Sequence, residues 1–219
     1  MQKHSVTFPE NASLDAEDAK QALRAQARAR RARRNQHERE LLGHQWVDTV
    51  LDFVGDAKTI ACYVSVNNEP PTGPICAALA QRGRRLLLPK LGPRLAREWA
   101  WYRGPDDLKV MAPGRPPEPT GPALGSSVLA EVEALIIPAL LVDHHGRRIG
   151  QGGGWYDRVL KQVSATTRIG AMVFPEEYVA EELPQDPMDR PVPYVLLPDE
   201  WFACDVPSEN LLSNESFGH

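Results

Sequence analysis

The apolar segment "VEALIIPAL" at residues 132–140 is the sequence feature that most constrains the fold. A near-continuous apolar run of this length predicts a strand that is buried on both faces of a sheet. Further strands are predicted at 58–66, 84–91, 97–103, 168–174 and 191–198, and short helices at 74–83 and 155–163. Strands that alternate with helices predict an α/β fold whose mostly parallel sheet is covered on both sides.

The chain ends differ in composition from this central part. Residues 1–18 and 205–219 are polar and aperiodic, so we expect two flexible ends around one domain at 19–204. Strong helix formers fill residues 15–54 and predict one long helix or two, with Ser13 or Asp15 as a cap and Gly43 as a break.

Charge and cysteine content exclude several classes of protein. The net charge of −4 does not favour a general nucleic-acid binder. The three cysteines form no C-x-x-C pair and no histidine lies at metal-ligand spacing, so neither a disulfide framework nor a structural zinc site is predicted. The longest apolar run is far shorter than the roughly 20 residues that span a bilayer. We expect a cytoplasmic protein without a membrane partner.

The segment "RRIGQGGGWYDR" at 147–158 carries the strongest chemical signal. A strand, a glycine-rich turn and a helix present backbone N–H groups to an anion. Spacing alone leaves two interpretations, a phosphate site and a loop that packs closely. Asp157 behind the glycines suits either Mg²⁺ or the helix dipole, and Asp189 suits a turn.

Two further stretches have open interpretations. Lys20, Arg24, Arg28 and Arg31 share one helical face, which could neutralise a triphosphate, contact RNA or simply face solvent. In "SVNNEPPT" at 65–72, the carboxylate of Glu69 could accept hydrogen bonds from an amino-bearing heterocycle at the carboxyl edge of the sheet. The alternative is that the proline pair only shapes a turn.

Taken together and in this order, the motifs resemble the 5-formyltetrahydrofolate cyclo-ligase family. The resemblance rests on "KQALR", "SVNNEPPT", "LLLPK", "GRPPEP" and, above all, "LIIPALLVDHHGRRIGQGGGWYDR", and it covers residues 19–198. It implies a single-domain, three-layer α/β/α sandwich that uses ATP as co-substrate and Mg²⁺ as cofactor. The implied substrate is a reduced folate, and we expect a monomer that binds no nucleic acid.

The resemblance also implies site residues by position. The implied ATP-binding residues are Lys20, Gln21, Ala22, Leu23, Arg24, Arg148, Ile149, Gly150, Gln151, Gly152, Gly153, Gly154, Trp155 and Tyr156. The implied folate-binding residues are Val66, Glu69, Pro71, Gln151, Gly152, Gly153, Gly154 and Trp155, and the implied metal ligands are Asp157 and Asp189.

The sequence departs from the family pattern at four positions: Trp155 stands where tyrosine is frequent, Met188 where histidine is, Pro193 where aspartate is, and Tyr178 where glutamine is. Because of the departures at Met188 and Pro193, the family pattern supports the metal-binding role of Asp189 less than it supports the other implied site residues. Two other functions compete with the ligase: a phosphate-binding sugar-phosphate isomerase or CoA-transferase-like protein, and a non-catalytic module that binds RNA.

Overall fold

The computed structural model describes residues 4–6, 16–92, 96–113 and 115–206. The helices are α1 (Ala16–Ala32), α2 (Gln36–Val54), α3 (Gly73–Gln81) and α4 (Trp155–Val159). The strands are β1 (Thr59–Ala61), β2 (Arg85–Leu91), β3 (Arg97–Trp101), β4 (Leu108–Lys109), β5 (Glu118–Pro119), β6 (Ala134–Pro138), β7 (Leu141–Asp143), β8 (Arg148–Ile149), β9 (Arg168–Met172), β10 (Tyr178–Val179), β11 (Tyr194–Leu196) and β12 (Trp201–Ala203).

The main sheet has the strand order β12-β11-β9-β6-β1-β2-β3. Its five central strands pair in parallel, and β3 and β12 pair antiparallel at the two edges. The predicted mostly parallel sheet is therefore confirmed. The chain leaves β1 toward β2 and later returns to the other side of β1 with β6, which creates a switch point between those two strands.

Alternating residues of each strand fill two separate cores. In β6, Ala134 and Ile136 face α2 and α3, whereas Leu135 and Ile137 face the layer that contains α4. All four side chains are fully buried. This period of two is why the apolar run tolerates no polar residue. The resulting three layers confirm the predicted sandwich.

Among the described residues, none of the helices combines the length and the apolar character that a membrane span requires.

The predicted helical region at 15–54 consists of two helices, but the break differs from the expected one. Gly43 lies inside α2 and is buried, since a Cβ there would come within 3.1 Å of the Pro71 ring. The break is at Asn35, whose side chain accepts from the backbone of Glu38 at 2.9 Å while the Glu38 carboxylate accepts from Asn35 N at 3.2 Å. This capping box starts α2, so the prediction for Gly43 is wrong. The proposed caps Ser13 and Asp15 lie outside the described residues.

The chain termini are more ordered than expected where the structure describes them. Helix α1 already begins at Ala16. His4 pairs with Val179 of β10, and Val6 is buried beside Leu23 of α1. At the other end, Asp205 N donates to the carbonyl of His144 at 2.8 Å. Residues 4–6 therefore depart from the prediction that the N-terminal extension buries little.

A buried ion pair attaches α1 to the body of the molecule. The Arg31 guanidinium donates from Nε to Oε1 of Glu177 at 2.6 Å and from Nη2 to Oε2 at 2.7 Å. Nη2 also donates to the carbonyl of Ala139 at 2.5 Å, directly after β6. The two side chains are only 3% and 0% exposed, so each charge depends on the other for compensation.

We expect Glu177→Gln to lower the free energy of unfolding by about 3–5 kcal/mol, because it leaves the Arg31 charge buried without its counter-ion. The matched control is Glu131→Gln, which breaks an ion pair to Arg85 whose two side chains are each 55% exposed. That variant should lose at most about 1 kcal/mol. Urea unfolding of both variants makes the comparison, and equal losses would contradict the role assigned to the buried pair.

Candidate active site

A cavity of about 420 Å³ opens at the switch point of the sheet. Tyr63 and Val64, which follow β1, line it from one side, and Pro138 and Ala139 at the end of β6 line it from the other. Ligands of open α/β sheets bind at this place, because the connections from the two strands run in opposite directions and leave a crevice. The volume is in the range of small-molecule sites.

The glycine loop, residues 150–154, forms one wall of this cavity between β8 and α4. Gly152 has φ +97° and Gly154 has φ +57°, a region that side chains with a Cβ adopt only with strain. Helix α4 is only five residues long, shorter than the predicted helix at 155–163. The loop backbone and nearby cations, rather than a long helix dipole, are therefore the groups that can face an anion.

The basic face of α1 turns toward this loop, with Lys20 and Arg31 buried, Arg24 half-buried and Arg28 exposed. Arg24 Nε donates to the carbonyl of Gly150 at 3.1 Å. Arg28 donates to the Gln151 side chain at 3.1 and 3.0 Å and to its carbonyl at 3.1 Å. With Lys20 in the cavity and Arg31 paired internally, all four residues of the stripe contact groups of the body. The interpretation as a solvated face is therefore wrong for Lys20, Arg24 and Arg31, whereas Arg28 contacts the loop and remains exposed.

Lys20 is 4% exposed and forms ion pairs with both Asp186 and Asp189. Burial alone would lower the pKa of the Lys20 ammonium, but hydrogen bonds and charge attraction from these two carboxylates raise it above its ordinary value. The ammonium is therefore a fixed positive charge at the cavity wall. Asp189 Oδ2 also accepts from the backbone of Asp186 at 2.9 Å, which holds the loop in place.

The two carboxylates predicted to bind metal both line the cavity. Asp157, in the first turn of α4, accepts from Arg148 Nη2 at 2.6 Å and from Arg190 N at 3.3 Å. Arg148 is only 6% exposed, so this ion pair fixes β8 against α4. Asp189 faces the same cavity from the loop before β11, which brings the two carboxylates to one site from distant parts of the chain.

Glu69 lies in the turn after β1 and is 8% exposed. Its Oε2 accepts from Val66 N at 3.0 Å, and its Oε1 accepts from the Gln151 side chain at 3.4 Å. Burial raises the pKa of this carboxyl, and the hydrogen bond from Val66 and the charge of Arg31 oppose the rise only in part. Asn67 in the same turn has φ +51°, which asparagine tolerates.

Four of the predicted site residues do not reach the cavity. Gln21 is exposed and Ala22 half-buried on α1, and Leu23 is fully buried among the side chains between α1 and a second sheet of three strands, β10-β7-β8. Pro71 packs against Gly43 of α2. The remaining predicted residues line the cavity: Lys20, Arg24, Val66, Glu69, Arg148, Ile149, Gly150, Gln151, Gly152, Gly153, Gly154, Trp155, Tyr156, Asp157 and Asp189.

Sequence reasoning missed five charged residues of the cavity wall: Glu17, Lys90, Arg97, Glu118 and Asp186. Asp186 shares Lys20 with Asp189, and Arg97 donates to the carbonyl of Gly153 at 2.9 Å. Lys90 and Glu118 lie 3.7 Å apart across β2 and β5. Lys90 and Glu118 belong to "LLLPK" and "GRPPEP", so their motifs carried a signal, whereas Asp186 and Arg97 stand in no motif that marks them.

The four departures from the family pattern lie in different environments. Trp155 lines the cavity, with its ring 6.3 Å from that of Trp99 at 87° and the Arg97 guanidinium 5.3 Å away. Met188 is 66% exposed, and Tyr178 is buried against Phe202. The carbonyl of Pro193 accepts from Cys204 N at 2.8 Å. Of these positions, only Trp155 belongs to the cavity lining.

Comparison with known proteins agrees with this geometry. A model of the 5-formyltetrahydrofolate cyclo-ligase family matches residues 16–198. A 5-formyltetrahydrofolate cyclo-ligase of Mycolicibacterium smegmatis is 36% identical over 146 residues, which are 64% of this chain and 74% of that protein. The cyclo-ligase of Escherichia coli K12 is 30% identical over 182 residues, 80% of this chain and 99% of that protein.

The fold is similar to that of solved structures. The NMR structure of Aquifex aeolicus 5,10-methenyltetrahydrofolate synthetase superposes with a TM-score of 0.71 at 23% identity and covers 91% of this chain and 96% of that one. A 5,10-methenyltetrahydrofolate synthetase from Mycoplasma pneumoniae superposes with a TM-score of 0.62 at 19% identity, and the match covers 81% of this chain and 97% of that one. At these identities the likeness supports the fold.

We expect Gly152→Ala to destabilise the protein by about 1–3 kcal/mol, because alanine at φ +97° is strained although its Cβ would meet the nearest atom only at 3.6 Å. The control is Gly153→Ala, whose backbone is not in the left-handed region and whose Cβ would lie 3.5 Å from Arg97. It should change stability by less than about 0.5 kcal/mol. Chemical denaturation measures the free energy of unfolding of both variants. A Gly152→Ala variant as stable as Gly153→Ala would contradict the loop geometry.

Proposed function

The chain belongs to the 5-formyltetrahydrofolate cyclo-ligase family, and we propose that its cavity converts 5-formyltetrahydrofolate to 5,10-methenyltetrahydrofolate with ATP and Mg²⁺. The observation that carries the proposal is the meeting of three different groups at one cavity: the cations Lys20 and Arg24, the glycine loop, and the buried carboxylate Glu69. A phosphate-binding isomerase has no need for a triphosphate clamp beside metal-binding carboxylates.

The proposed nucleotide side of the cavity is the junction of α1 with the glycine loop. Lys20, Arg24 and Arg148 would neutralise the phosphates while the loop backbone approaches them closely, since glycines leave no side chain in the way. Phosphoryl transfer requires mainly that the attacking and the leaving oxygen be held in position and that the negative charge of the phosphates be neutralised. A set of cations and backbone amides is sufficient for that chemistry without a protein nucleophile.

The proposed folate side is the turn after β1 together with Trp155. Glu69 would accept hydrogen bonds from the pterin amino group, and Trp155 would pack on the ring system. The formyl oxygen attacks the γ-phosphorus of ATP, and ADP leaves. The second folate nitrogen then attacks the formyl carbon and loses its proton, and the phosphorylated oxygen departs as phosphate. Phosphorylation is needed because an amide-like oxygen is a poor leaving group.

The carboxylates at the cavity suit Mg²⁺. This ion prefers one or two carboxylates and completes its shell with phosphate oxygens and water, and Asp157 and Asp189 both line the cavity next to the glycine loop. They would hold the ion, and Asp186 lies beside them. Bound there, Mg²⁺ would offset phosphate charge. The pairing of Asp157 with Arg148 and of Asp189 with Lys20 would keep these carboxylates oriented before the nucleotide arrives.

The wider setting of the enzyme follows the same proposal. We propose that the enzyme acts as a monomer, because a single chain supplies the cations, the glycine loop and the carboxylates that the chemistry requires. Cys62, Cys76 and Cys204 are unpaired, which fits a reducing compartment and a cytoplasmic location. We propose that the domain expected at 19–204 acts as one unit.

The function is tested by following the rise in methenyltetrahydrofolate absorbance from 5-formyltetrahydrofolate in the presence of ATP and Mg²⁺. We expect one ADP per product, and Asp157→Asn should lower turnover at limiting Mg²⁺ by at least about tenfold. Saturating Mg²⁺ should recover part of that loss if Asp157 holds the metal. A loss independent of Mg²⁺ would instead assign Asp157 to positioning Arg148.

The control for this assay is Asp56→Asn, an exposed aspartate after α2, which should keep wild-type turnover at every Mg²⁺ concentration. If folded wild-type protein yields no ATP-dependent product, the proposed function is refuted. Phosphate binding without nucleotide turnover would favour the isomerase alternative.

The raised pKa of Glu69 predicts a pH dependence. Because burial raises this pKa above the ordinary value of 4.5, Glu69 is ionised above the raised value and becomes neutral as the pH falls through it. We expect kcat/KM for folate to fall on an acidic limb above pH 4.5, as the acceptor loses its charge. Glu69→Gln should remove this limb and lower neutral-pH kcat/KM by about tenfold or more.

The comparison for Glu69 is Glu17→Gln, which changes a largely exposed carboxylate that pairs with Arg24 at the same cavity. This variant should retain the acidic limb of kcat/KM for folate. An acidic limb that survives Glu69→Gln unchanged would show that Glu69 does not contact the folate in its ionised form.

A further inference from the structure

A second group of metal-ligating side chains lies outside the cavity, at the turn between β7 and β8. His144, His145 and Glu182 each offer a ligand atom, and these atoms all lie within 4.8 Å of one another. None of the three lines the cavity. We propose that this cluster binds a transition-metal ion of borderline softness, with Zn²⁺ as the representative case.

The backbone of the cluster is fixed by one buried carboxylate. Asp143, which is 0% exposed, accepts through Oδ1 from His145 N at 2.9 Å and from Arg147 N at 3.0 Å. Its Oδ2 accepts from Leu183 N at 2.9 Å. The same side chain therefore positions the histidine turn and the segment that carries Glu182. Ligands held in this way lose little conformational freedom when an ion binds.

The ring of His145 has the partner expected of a metal ligand. His145 Nδ1 lies 3.1 Å from the carbonyl oxygen of Asp205. A carbonyl only accepts, so Nδ1 donates to it, and Nε2 is the ring nitrogen that remains to ligate an ion. Nε2 in turn lies 3.6 Å from Glu182 Oε1. A ligating histidine usually donates its other ring N–H to a carbonyl or carboxylate, which fixes both tautomer and orientation.

His144 supplies an independent observation. Its Nδ1 is buried and has no hydrogen-bond partner among the residues that the structure describes. Its ring lies against that of His145, with the centroids 3.8 Å apart. Buried polar side-chain atoms nearly always have a partner, and an exception calls for an explanation such as an ion or water. A metal ion at the cluster would satisfy the imidazole pair.

The donor set selects the class of ion. Two imidazoles and one carboxylate, with water at the fourth position, suit Zn²⁺ and Co²⁺, whereas Mg²⁺ and Ca²⁺ prefer oxygen ligands alone. Arg147 competes with the ion, since its Nη1 donates to Glu182 Oε2 at 2.7 Å. The other oxygen of Glu182, Oε1, lies 3.6 Å from His145 Nε2 and is the one that can ligate the ion. The spacing of residues along the chain does not predict this site, because Glu182 is 37 residues beyond His145.

The site would connect segments that lead into the cavity. Strand β8 continues into the glycine loop, and the segment after Glu182 continues to Asp186 and Asp189. An ion shared by the histidine turn and Glu182 would tie the starting points of both segments together. We expect bound Zn²⁺ to raise the thermal unfolding temperature of the full chain, since the ion binds only the folded arrangement.

The test uses the full-length chain without an affinity tag, stripped of metal with a chelator and titrated with Zn²⁺ by calorimetry. We expect one equivalent to bind. Glu182→Gln and His145→Ala should each weaken binding by at least about tenfold, whereas Arg147→Met should tighten it by freeing Glu182. Co²⁺ should show visible absorption bands of tetrahedral coordination that Glu182→Gln changes and excess Mg²⁺ does not remove.

The controls are His44→Gln, which changes an exposed histidine of α2, and Cys204→Ser, which tests binding through a nearby thiol. Both should bind Zn²⁺ like the wild type. Because the Glu182 side chain is 60% exposed, Glu182→Gln should fold normally even if His145→Ala does not. Wild-type protein without saturable binding, or undiminished binding in Glu182→Gln and a His144→Ala/His145→Ala variant, would overturn the proposal.

Discussion

The burial of both faces of the five parallel strands is the constraint on which the rest of the structure depends. Strand β6 can be apolar throughout only because α2 and α3 cover one face and the layer of α4 covers the other. Parallel strands also require crossover connections, and these leave all the carboxyl ends at one edge. The crevice between β1 and β6 is a consequence of that connectivity. The position of the cavity is therefore set by the backbone topology, whatever side chains line it.

Helix α1 forms one side of this crevice. Charged side chains, more than apolar burial, hold the helix in that position. Leu23 and Ala27 pack against the three-stranded sheet β10-β7-β8. Lys20 pairs with aspartates of the loop before β11, Arg24 and Arg28 contact the glycine loop, and Arg31 pairs with Glu177. The buried Arg31 pair is the anchor, because neither charge has water as an alternative. Lys20 and Arg24 are then held at the wall of the cavity, where a polyphosphate would exchange with their present partners.

The environment of each divergent residue separates variation in the site from variation elsewhere. Met188 faces solvent and Tyr178 packs on Phe202, so neither can alter a pocket directly. Trp155 packs edge-on against Trp99 and beneath Arg97, and its ring contributes to the cavity wall. Among the four departures, Trp155 is the one whose side chain lines the cavity. The paired histidines at 144 and 145 lie apart from that wall and carry a separate chemistry.

The sequence by itself determined the layered α/β fold and the glycine loop, because periodicity and turn chemistry are local properties. It misplaced the break at Gly43, since a glycine needed for packing against Pro71 looks the same as a helix terminator. Only the tertiary structure decided that Lys20 meets Asp186 as well as Asp189, that Pro71 and Leu23 point away from the cavity, and that Glu182 joins the histidines. These contacts link residues far apart in the chain, and no local pattern encodes such distances.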